Sequence, residues 1–232
     1  MFFPFVFIGF GILGALFPFH TWSPDGHASA PTAVSMLHAG VLMKLGGYGC
    51  LRIAMFLMPD ALTMWAPVFL VLTCISVVYG ALSACVQTDL KYINAYSSVS
   101  HCGMVLFALV MTTQTAITGA ILQMLSHGLM TALFFACIGM IYGRTHTRDV
   151  RELSGLMKIM PFLAVCYVIA GLANLGLPGL SGFIAEMTYL HRFVPASRYV
   201  PPRVDSHCMQ FHRDYSSLYP ATGRKDSLWH LH

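Results

Sequence analysis

Six apolar stretches constrain what this chain can fold into more than any other feature. A helix needs about 20 apolar residues to cross the hydrocarbon core of a bilayer. The stretches cover roughly residues 2–19, 33–58, 62–85, 93–112, 115–142 and 159–188. Lipid leaves no backbone group unpaired, so each stretch must form a helix or belong to a closed barrel, and the alternating segments of about ten residues typical of a barrel do not occur. The sequence predicts an all-α, multi-pass transmembrane helix bundle.

Composition separates this membrane region from a polar tail. Hydrophobic residues make up 56% of the 232-residue chain and charged residues only 9%, whereas a soluble domain has about 25% charged residues. A water-soluble fold is therefore excluded. We expect a transmembrane domain of about six helices over residues 1–188 and a polar tail over 189–232, either disordered or translated out of frame. The net charge of +4 comes mostly from that tail and gives no indication of nucleic-acid binding.

The connections between the stretches alternate in charge. The connections MPDAL and MTTQT contain no Lys or Arg, whereas the connections after the first, third and fifth stretches together carry five such residues. The basic residues of these connections are Lys91, Arg144, Arg148, Arg151 and Lys158. Basic loops stay in the cytoplasm, so the alternation predicts that Phe17 to Pro31 is a cytoplasmic turn. We expect His20, Asp25 and His27 to be hydrogen-bonded residues of that turn, and Lys91 to be a solvated anchor near a helix end.

Helix breakers interrupt two of the stretches. The first contains Gly9, Gly11, Gly14 and Pro18, and the sixth contains the segment LGLPGLSG. Paired, interrupted helices are typical of transport sites built from discontinuous helices. Small residues also allow close helix packing in membranes, and for the first stretch both interpretations stay open. For the sixth stretch the density of breakers predicts a real break.

Lys44 stands near the middle of the second stretch. An ionisable group at that depth is costly and usually functional. A lysine near a helix end can extend its ammonium group to the membrane surface, but Lys44 is too deep for that. We therefore interpret Lys44 as a candidate proton carrier.

Two polar stripes and one acid accompany this lysine. Asn94, Ser98 and His101 fall on one helical face, as do Gln123, His127 and Thr131. Histidine exchanges protons near neutral pH, although each histidine could instead form a structural bond across a helix pair. Two stripes beside a buried lysine favour a relay, which we expect to run from Lys44 through His101 and then His127. Glu186, after the break in the sixth stretch, is a candidate terminal acceptor, or a cap of the second half-helix.

Five segments closely resemble one family. In order they are FPFHTWSPDGHASAPTAVSMLHAGVLMKLGGYG, QTDLKYINAYSSVSHCGMVL, ILQMLSHGLMTALFF, RTHTRDVRELSGL and LANLGLPGLSGFIAEM. They resemble subunit M, the antiporter-like, proton-translocating subunit of bacterial NADH:quinone oxidoreductase (respiratory complex I). The resemblance covers residues 1–188.

The resemblance implies a role for each candidate residue. Lys44 matches a central lysine, His101 and His127 match the histidines of a hydrophilic axis, and Glu186 matches the acid of the second broken helix. Thr131 and Glu186 stand where the related subunit L has lysines, so subunit M fits better.

The chain also departs from the family pattern. Leu13 occupies the position of a family lysine at the first break, so the proton-uptake side is expected to use another residue or to be impaired. Earlier and later family helices have no counterpart here, which predicts a central fragment of a longer subunit.

The resemblance further implies the setting in which the chain works. The complex would lie in the bacterial cytoplasmic membrane, with neighbouring antiporter-like subunits and the lipid bilayer as partners. NADH, FMN, iron–sulfur clusters and quinone would bind in other subunits, and this chain would bind no cofactor or metal. Two alternatives remain: a subunit of a multisubunit cation/proton antiporter or membrane-bound hydrogenase, and a truncated remnant that transports nothing.

Overall fold

Every regular element in the described part of the chain is a helix. The computed structural model describes residues 2–153 and 156–196. The α-helices are α1 (Phe3–Leu13), α2 (Trp22–Ser29), α3 (Thr32–Leu37), α4 (Met43–Gly49), α5 (Pro59–Val86), α6 (Leu90–Val110), α7 (Gln114–Thr145), α8 (Leu156–Ile159), α9 (Pro161–Asn174) and α10 (Ser181–Ala196). By length and composition α5, α6 and α7 could each cross a membrane. The all-α, multi-pass prediction is confirmed.

Local sequence explains where the long helices begin. Pro59 and Pro161 stand in the first turns of α5 and α9, where proline has no helical hydrogen bond to lose. The Asp89 side chain accepts a bond from the Lys91 amide at the start of α6. Thr113 caps α7 in the same way. Such caps satisfy amide groups that have no partner within the helix.

The second predicted stretch forms one helical run with two wider turns. Helical residues continue from 32 to 57, but His38–Leu42 and Cys50–Met55 are π-helical. π-Helical turns are rare and occur frequently at functional sites. Here they lie on either side of α4, the helix that carries Lys44.

Both stretches that contain helix breakers are interrupted, including the first, for which the sequence left the question open. Helix α1 ends at Leu13, and Ala15 has a positive φ of 58° before the chain resumes as α2. The segment from Phe17 to Pro31 is therefore not merely a turn, because it contains the helix α2.

In the sixth stretch, α9 and α10 are separated by a loop with Gly176 at φ 60° and Gly179 at φ 98°. Glycine adopts such angles without the steric cost that other residues pay. Helix α10 continues to Ala196, beyond the predicted domain boundary at residue 188. Residues 197–232 of the predicted tail lie outside the described residues.

Helix α6 lies at the centre of the bundle. It is almost wholly enclosed, whereas most of α5 faces outward. It packs against α5, α7 and α2, and α7 packs in turn against α9 and α10. Helix α4 contacts α1, α6 and α7. This arrangement brings the Lys44 helix, both predicted polar stripes and the second broken helix together.

The three connections on the predicted cytoplasmic side meet at one end of the bundle. Lys91 Nζ donates to Ala30 O at 2.7 Å, and Arg148 Nη1 donates to Ala28 O at 3.1 Å. Arg148 Nε also lies 3.3 Å from Asp89 Oδ2. Two cations thus satisfy carbonyl groups at the C-terminal end of α2, where positive charge is favourable. The prediction that Lys91 is a solvated anchor is wrong, because only 5% of its surface is exposed.

We expect Lys91→Met to destabilise the fold by about 1–2 kcal/mol, because it keeps the aliphatic chain but leaves the Ala30 carbonyl without its partner. Thermal or detergent unfolding in micelles would measure the change. Lys158→Met is the matched control, since Lys158 is exposed and surface substitutions usually change stability by less than about 0.5 kcal/mol. Equal losses in the two variants would contradict the capping role.

Candidate functional site

The two predicted polar stripes face each other in the centre of the bundle. The rings of His101 on α6 and His127 on α7 lie 4.8 Å apart between centroids, at an angle of 32°. Their exposed fractions are 2% and 1%. Gln123 Nε2, also on α7, lies 3.2 Å from His101 Nδ1. The structure therefore places both histidines in one buried polar cluster.

Glu186 joins this cluster from the second broken helix. Its Oε1 atom lies 4.0 Å from His101 Nδ1, and the residue is only 4% exposed. The carboxylate rests against the loop at the break, because a Cβ added at Gly176 would collide with Glu186 Oε2. The break thus provides space for the acid beside His101. It also brings loop backbone close to a buried ionisable group.

Sequence reasoning missed Asn174, which completes the cluster. Asn174 is the last residue of α9, directly before the break. Its Oδ1 atom lies 2.7 Å from His101 Nε2, and its Nδ2 donates to Ser97 Oγ at 3.1 Å. The sequence feature that could have identified Asn174 is the occurrence of a polar amide at the end of an apolar helix. The partner of that amide, 73 residues away, could not be inferred from spacing.

Lys44 lies beside the cluster rather than within it. The residue is half-buried, and its Nζ donates to Ala39 O at 2.5 Å, in the first π-helical turn. Its Cε atom would lie 3.9 Å from a Cβ added at Gly128, the neighbour of His127. Within the described residues no hydrogen bond or ion pair joins Lys44 to His127. The structure therefore groups three of the four predicted residues and places the fourth next to them.

Glycines allow the lysine helix to approach both of its neighbours. A Cβ added at Gly46 would lie 2.7 Å from Phe10 O and would collide with the Gly14 amide. A Cβ added at Gly128 would lie 2.8 Å from Gly40 O. These contacts are between backbones, so side-chain rotation cannot relieve them. The close approach of α4 to α1 and α7 depends on these glycines.

A small cavity adjoins Lys44. Its volume is about 10 Å³, which is near the smallest space that holds one water molecule. The lining residues are Gly14, Met43, Lys44, Gly47, Cys102, Val105, Leu106 and Met124. Neither ring nitrogen of the neighbouring His127 has a hydrogen-bond partner among the described residues.

Another buried histidine was misjudged from sequence. His27 is fully buried, and neither of its ring nitrogens has a hydrogen-bond partner in the described ranges. The His27 ring packs 5.1 Å from that of Phe135 and 4.6 Å from that of His38. The prediction of a hydrogen-bonded turn residue is wrong for His27, because α2 is packed into the bundle.

Leu13 lies where the resemblance implies a lysine. It is the last residue of α1 and lines an apolar groove of about 700 Å³, together with Phe10, Trp22 and Leu42. No charged side chain lines this groove. Over the described residues no group of three His, Cys, Asp or Glu side chains could hold a metal ion, and we assign the histidines no metal.

The fold and the site together define a class of protein. This is a multi-pass helical membrane protein with two discontinuous helices and a buried cluster of ionisable side chains beside the second of them. Residues 1–201 match the family described as NADH:quinone oxidoreductase/Mrp antiporter, transmembrane. The chain belongs to this family.

Curated relatives from cyanobacteria are substantially longer. The chain is 48% identical over 181 residues to NAD(P)H-quinone oxidoreductase chain 4 1 of Picosynechococcus sp., which covers 78% of this chain and 34% of the relative. It is 44% identical over 180 residues to chain 4-2 of Synechocystis sp., covering 78% of this chain and 32% of the relative. The chain thus spans about a third of the length of these relatives.

Solved structures share the fold. Respiratory complex I from Thermus thermophilus contains a chain that matches with a TM-score of 0.84 and 29% identity, over 93% of this chain and 45% of that one. The Mrp complex from Dietzia sp. gives the same TM-score at 24% identity, over 93% of this chain and 40% of that one. At that lower identity the likeness concerns the fold alone.

Proposed function

We propose that this chain is a proton-translocating, antiporter-like subunit of a quinone oxidoreductase of the complex I type, corresponding to subunit M. The observation that carries the proposal is the buried cluster of His101, His127 and Glu186 across the second break. Intramembrane ionisable residues usually mark ion pathways, and broken helices commonly build transport sites. The chain 4 relatives, at 43–48% identity, support the assignment to the quinone oxidoreductase branch.

The geometry supports a definite order of proton carriers. Lys44 Cε would lie 3.9 Å from a Cβ added at Gly128, the residue next to His127, and the His127 ring lies 4.8 Å from the His101 ring between centroids. His101 in turn faces Glu186. The proposed path is therefore Lys44, His127, His101 and then Glu186. The two histidines follow in the opposite order to their positions in the sequence.

Each step has a physical requirement. The His127 and His101 rings lie 4.8 Å apart between centroids, tilted by 32° and not hydrogen-bonded to each other, and His101 Nδ1 lies 4.0 Å from the Glu186 carboxylate. Polar groups separated by more than 3.5 Å exchange protons through an intervening water or after a side-chain movement. A neighbouring charge alters the proton affinity of a buried group. A proton that arrives at one carrier therefore favours the release of the proton held by the next carrier. Such coupled titration would drive the proton along the path.

We assign no electron transfer to this chain. In the proposed assembly NADH, FMN, iron–sulfur clusters and quinone bind in other subunits, and neighbouring antiporter-like subunits and lipid surround this one. The assembly would lie in the bacterial cytoplasmic membrane. The family also includes Mrp antiporters, so a cation/proton antiporter subunit is the alternative. Gene neighbours distinguish the two, since one assembly requires dehydrogenase and quinone-site subunits and the other requires antiporter subunits.

The test of the relay is Lys44→Ala in the assembled complex. We expect the ratio of protons translocated to NADH oxidised to fall, because the path loses its first carrier while the redox reaction elsewhere continues. The ratio would be measured in proteoliposomes with a pH-sensitive dye and NADH absorbance. Lys158→Ala, which removes an exposed lysine, is the matched control. An unchanged ratio in Lys44→Ala would refute the relay and favour the non-transporting remnant.

A further inference from the structure

His101 is held by amide groups on both sides of its ring. Asn174 Oδ1 lies 2.7 Å from Nε2, and Gln123 Nε2 lies 3.2 Å from Nδ1. Glu186 Oε1 lies 4.0 Å from the same Nδ1 atom. A neutral imidazole has one nitrogen that donates and one that accepts. The two amides can therefore select between its two tautomers.

The orientation of the Asn174 amide decides which tautomer is favoured. Asn174 directs its Oδ1 atom at His101 Nε2, and its amide also contacts Ser97 Oγ, which lies 3.1 Å from Nδ2 and 3.2 Å from Oδ1. A carbonyl oxygen only accepts hydrogen bonds, and therefore His101 Nε2 must carry the proton. This leaves a lone pair on Nδ1, which accepts from Gln123 Nε2. With the two amides in these orientations, the opposite tautomer would set the lone pair of Nε2 against the Asn174 oxygen. It would also set the Nδ1–H group against the Gln123 amide N–H.

We propose that Asn174 is a positioning residue that fixes His101 in the Nε2–H form, so that His101 gains and loses protons at Nδ1. This deepens the proposed relay and rests on it for its functional consequence. In the transfer step the Nδ1–H bond of the imidazolium breaks and an O–H bond forms on Glu186. Glu186 becomes a neutral acid, and His101 returns to its neutral Nε2–H form, still bonded to Asn174.

The position of Asn174 gives this bond a further consequence. Asn174 ends α9 and directly precedes the loop that covers Glu186. A movement of the break would therefore displace the residue that sets the His101 tautomer. The same loop would control both the acceptor and the ring nitrogen that faces it.

Nitrogen-15 solid-state NMR of the full chain in lipid vesicles, with histidine labelled, tests the inference. The His101 signals are assigned as those that disappear in a His101→Gln variant in which Asn174 is unchanged. We expect neutral native His101 to show protonated Nε2 and unprotonated Nδ1. In Asn174→Leu, loss of the acceptor is expected to lower the ratio of Nε2–H to Nδ1–H forms by roughly two- to tenfold. Asn174→Asp, which keeps an acceptor, should retain the Nε2–H form. Asn94→Leu is the control, since it removes a buried amide on α6, seven residues before His101.

Two results would overturn the inference: native His101 protonated at Nδ1, or an unchanged tautomer ratio in Asn174→Leu. The native spectrum alone decides the first point if the leucine variant does not fold. Proton translocation by the Asn174→Leu complex separates this inference from the relay. A changed tautomer with unchanged translocation would support the assignment of Asn174 and refute the relay, whereas loss of both supports the two together.

Discussion

Glu186→Gln is expected to stop proton transfer through this subunit while leaving the second break folded around it. Glutamine has nearly the same shape as glutamate and can occupy the same space beside Gly176, but it cannot take up a proton at neutral pH. A positioned proton-transfer group commonly contributes a factor of about 100 or more, so we expect a loss of that order in transport through this chain. Proteoliposomes containing the assembled complex would show a lower ratio of protons translocated to NADH oxidised.

Two further variants make this result specific. Glu186→Asp keeps the carboxylate but withdraws it from His101, which already lies 4.0 Å away, and should give an intermediate ratio. Glu152→Gln should behave as native, because Glu152 is exposed and its Oε2 atom accepts a hydrogen bond from Thr147 Oγ1 at the surface. If Glu186→Gln translocated protons at the native ratio, Glu186 would be a structural residue and the acceptor role would be wrong.

The parts of the site that follow from helical periodicity could be predicted from sequence. His101 and His127 each belong to a polar stripe at helical spacing, and a polar stripe on an apolar membrane helix must be buried against other protein. The second break was also predictable, because LGLPGLSG cannot form regular helix. The position of Glu186 near this break was predictable too, because Glu186 follows the break by only a few residues.

The parts that depend on packing between distant segments could not be predicted. Asn174 contacts His101 only because α9 crosses α7 and ends beside α6, and nothing in the local sequence fixes that crossing. The burial of His27 depends on α2 folding back against α6, whereas the sequence there is polar and rich in proline and glycine. The π-helical turn that presents Ala39 O to Lys44 has no recognised local pattern either. Each of these features depends on tertiary packing.

Gly46→Ala is expected to destabilise the bundle by about 3 kcal/mol, the upper end of the usual range for overpacking. The added methyl group would meet the backbone of Gly14 and the carbonyl oxygen of Phe10. Both are backbone atoms, so α1 would have to move away from α4 as a whole. Unfolding in detergent, followed by circular dichroism, would measure the loss. Because α4 carries Lys44, we also expect proton translocation to fall.

Gly9→Ala provides the matched control on the same pair of helices. A Cβ added at Gly9 would meet nothing within 4 Å, and alanine is preferred over glycine in a helix by roughly 0.5–1 kcal/mol. We therefore expect Gly9→Ala to be neutral or slightly stabilising. If both variants lost stability equally, the cause would be a general intolerance of α1 and α4 to substitution. If neither did, α1 and α4 would not pack as closely as their glycines allow, and the lysine helix would be positioned by its contacts with α6 and α7 instead.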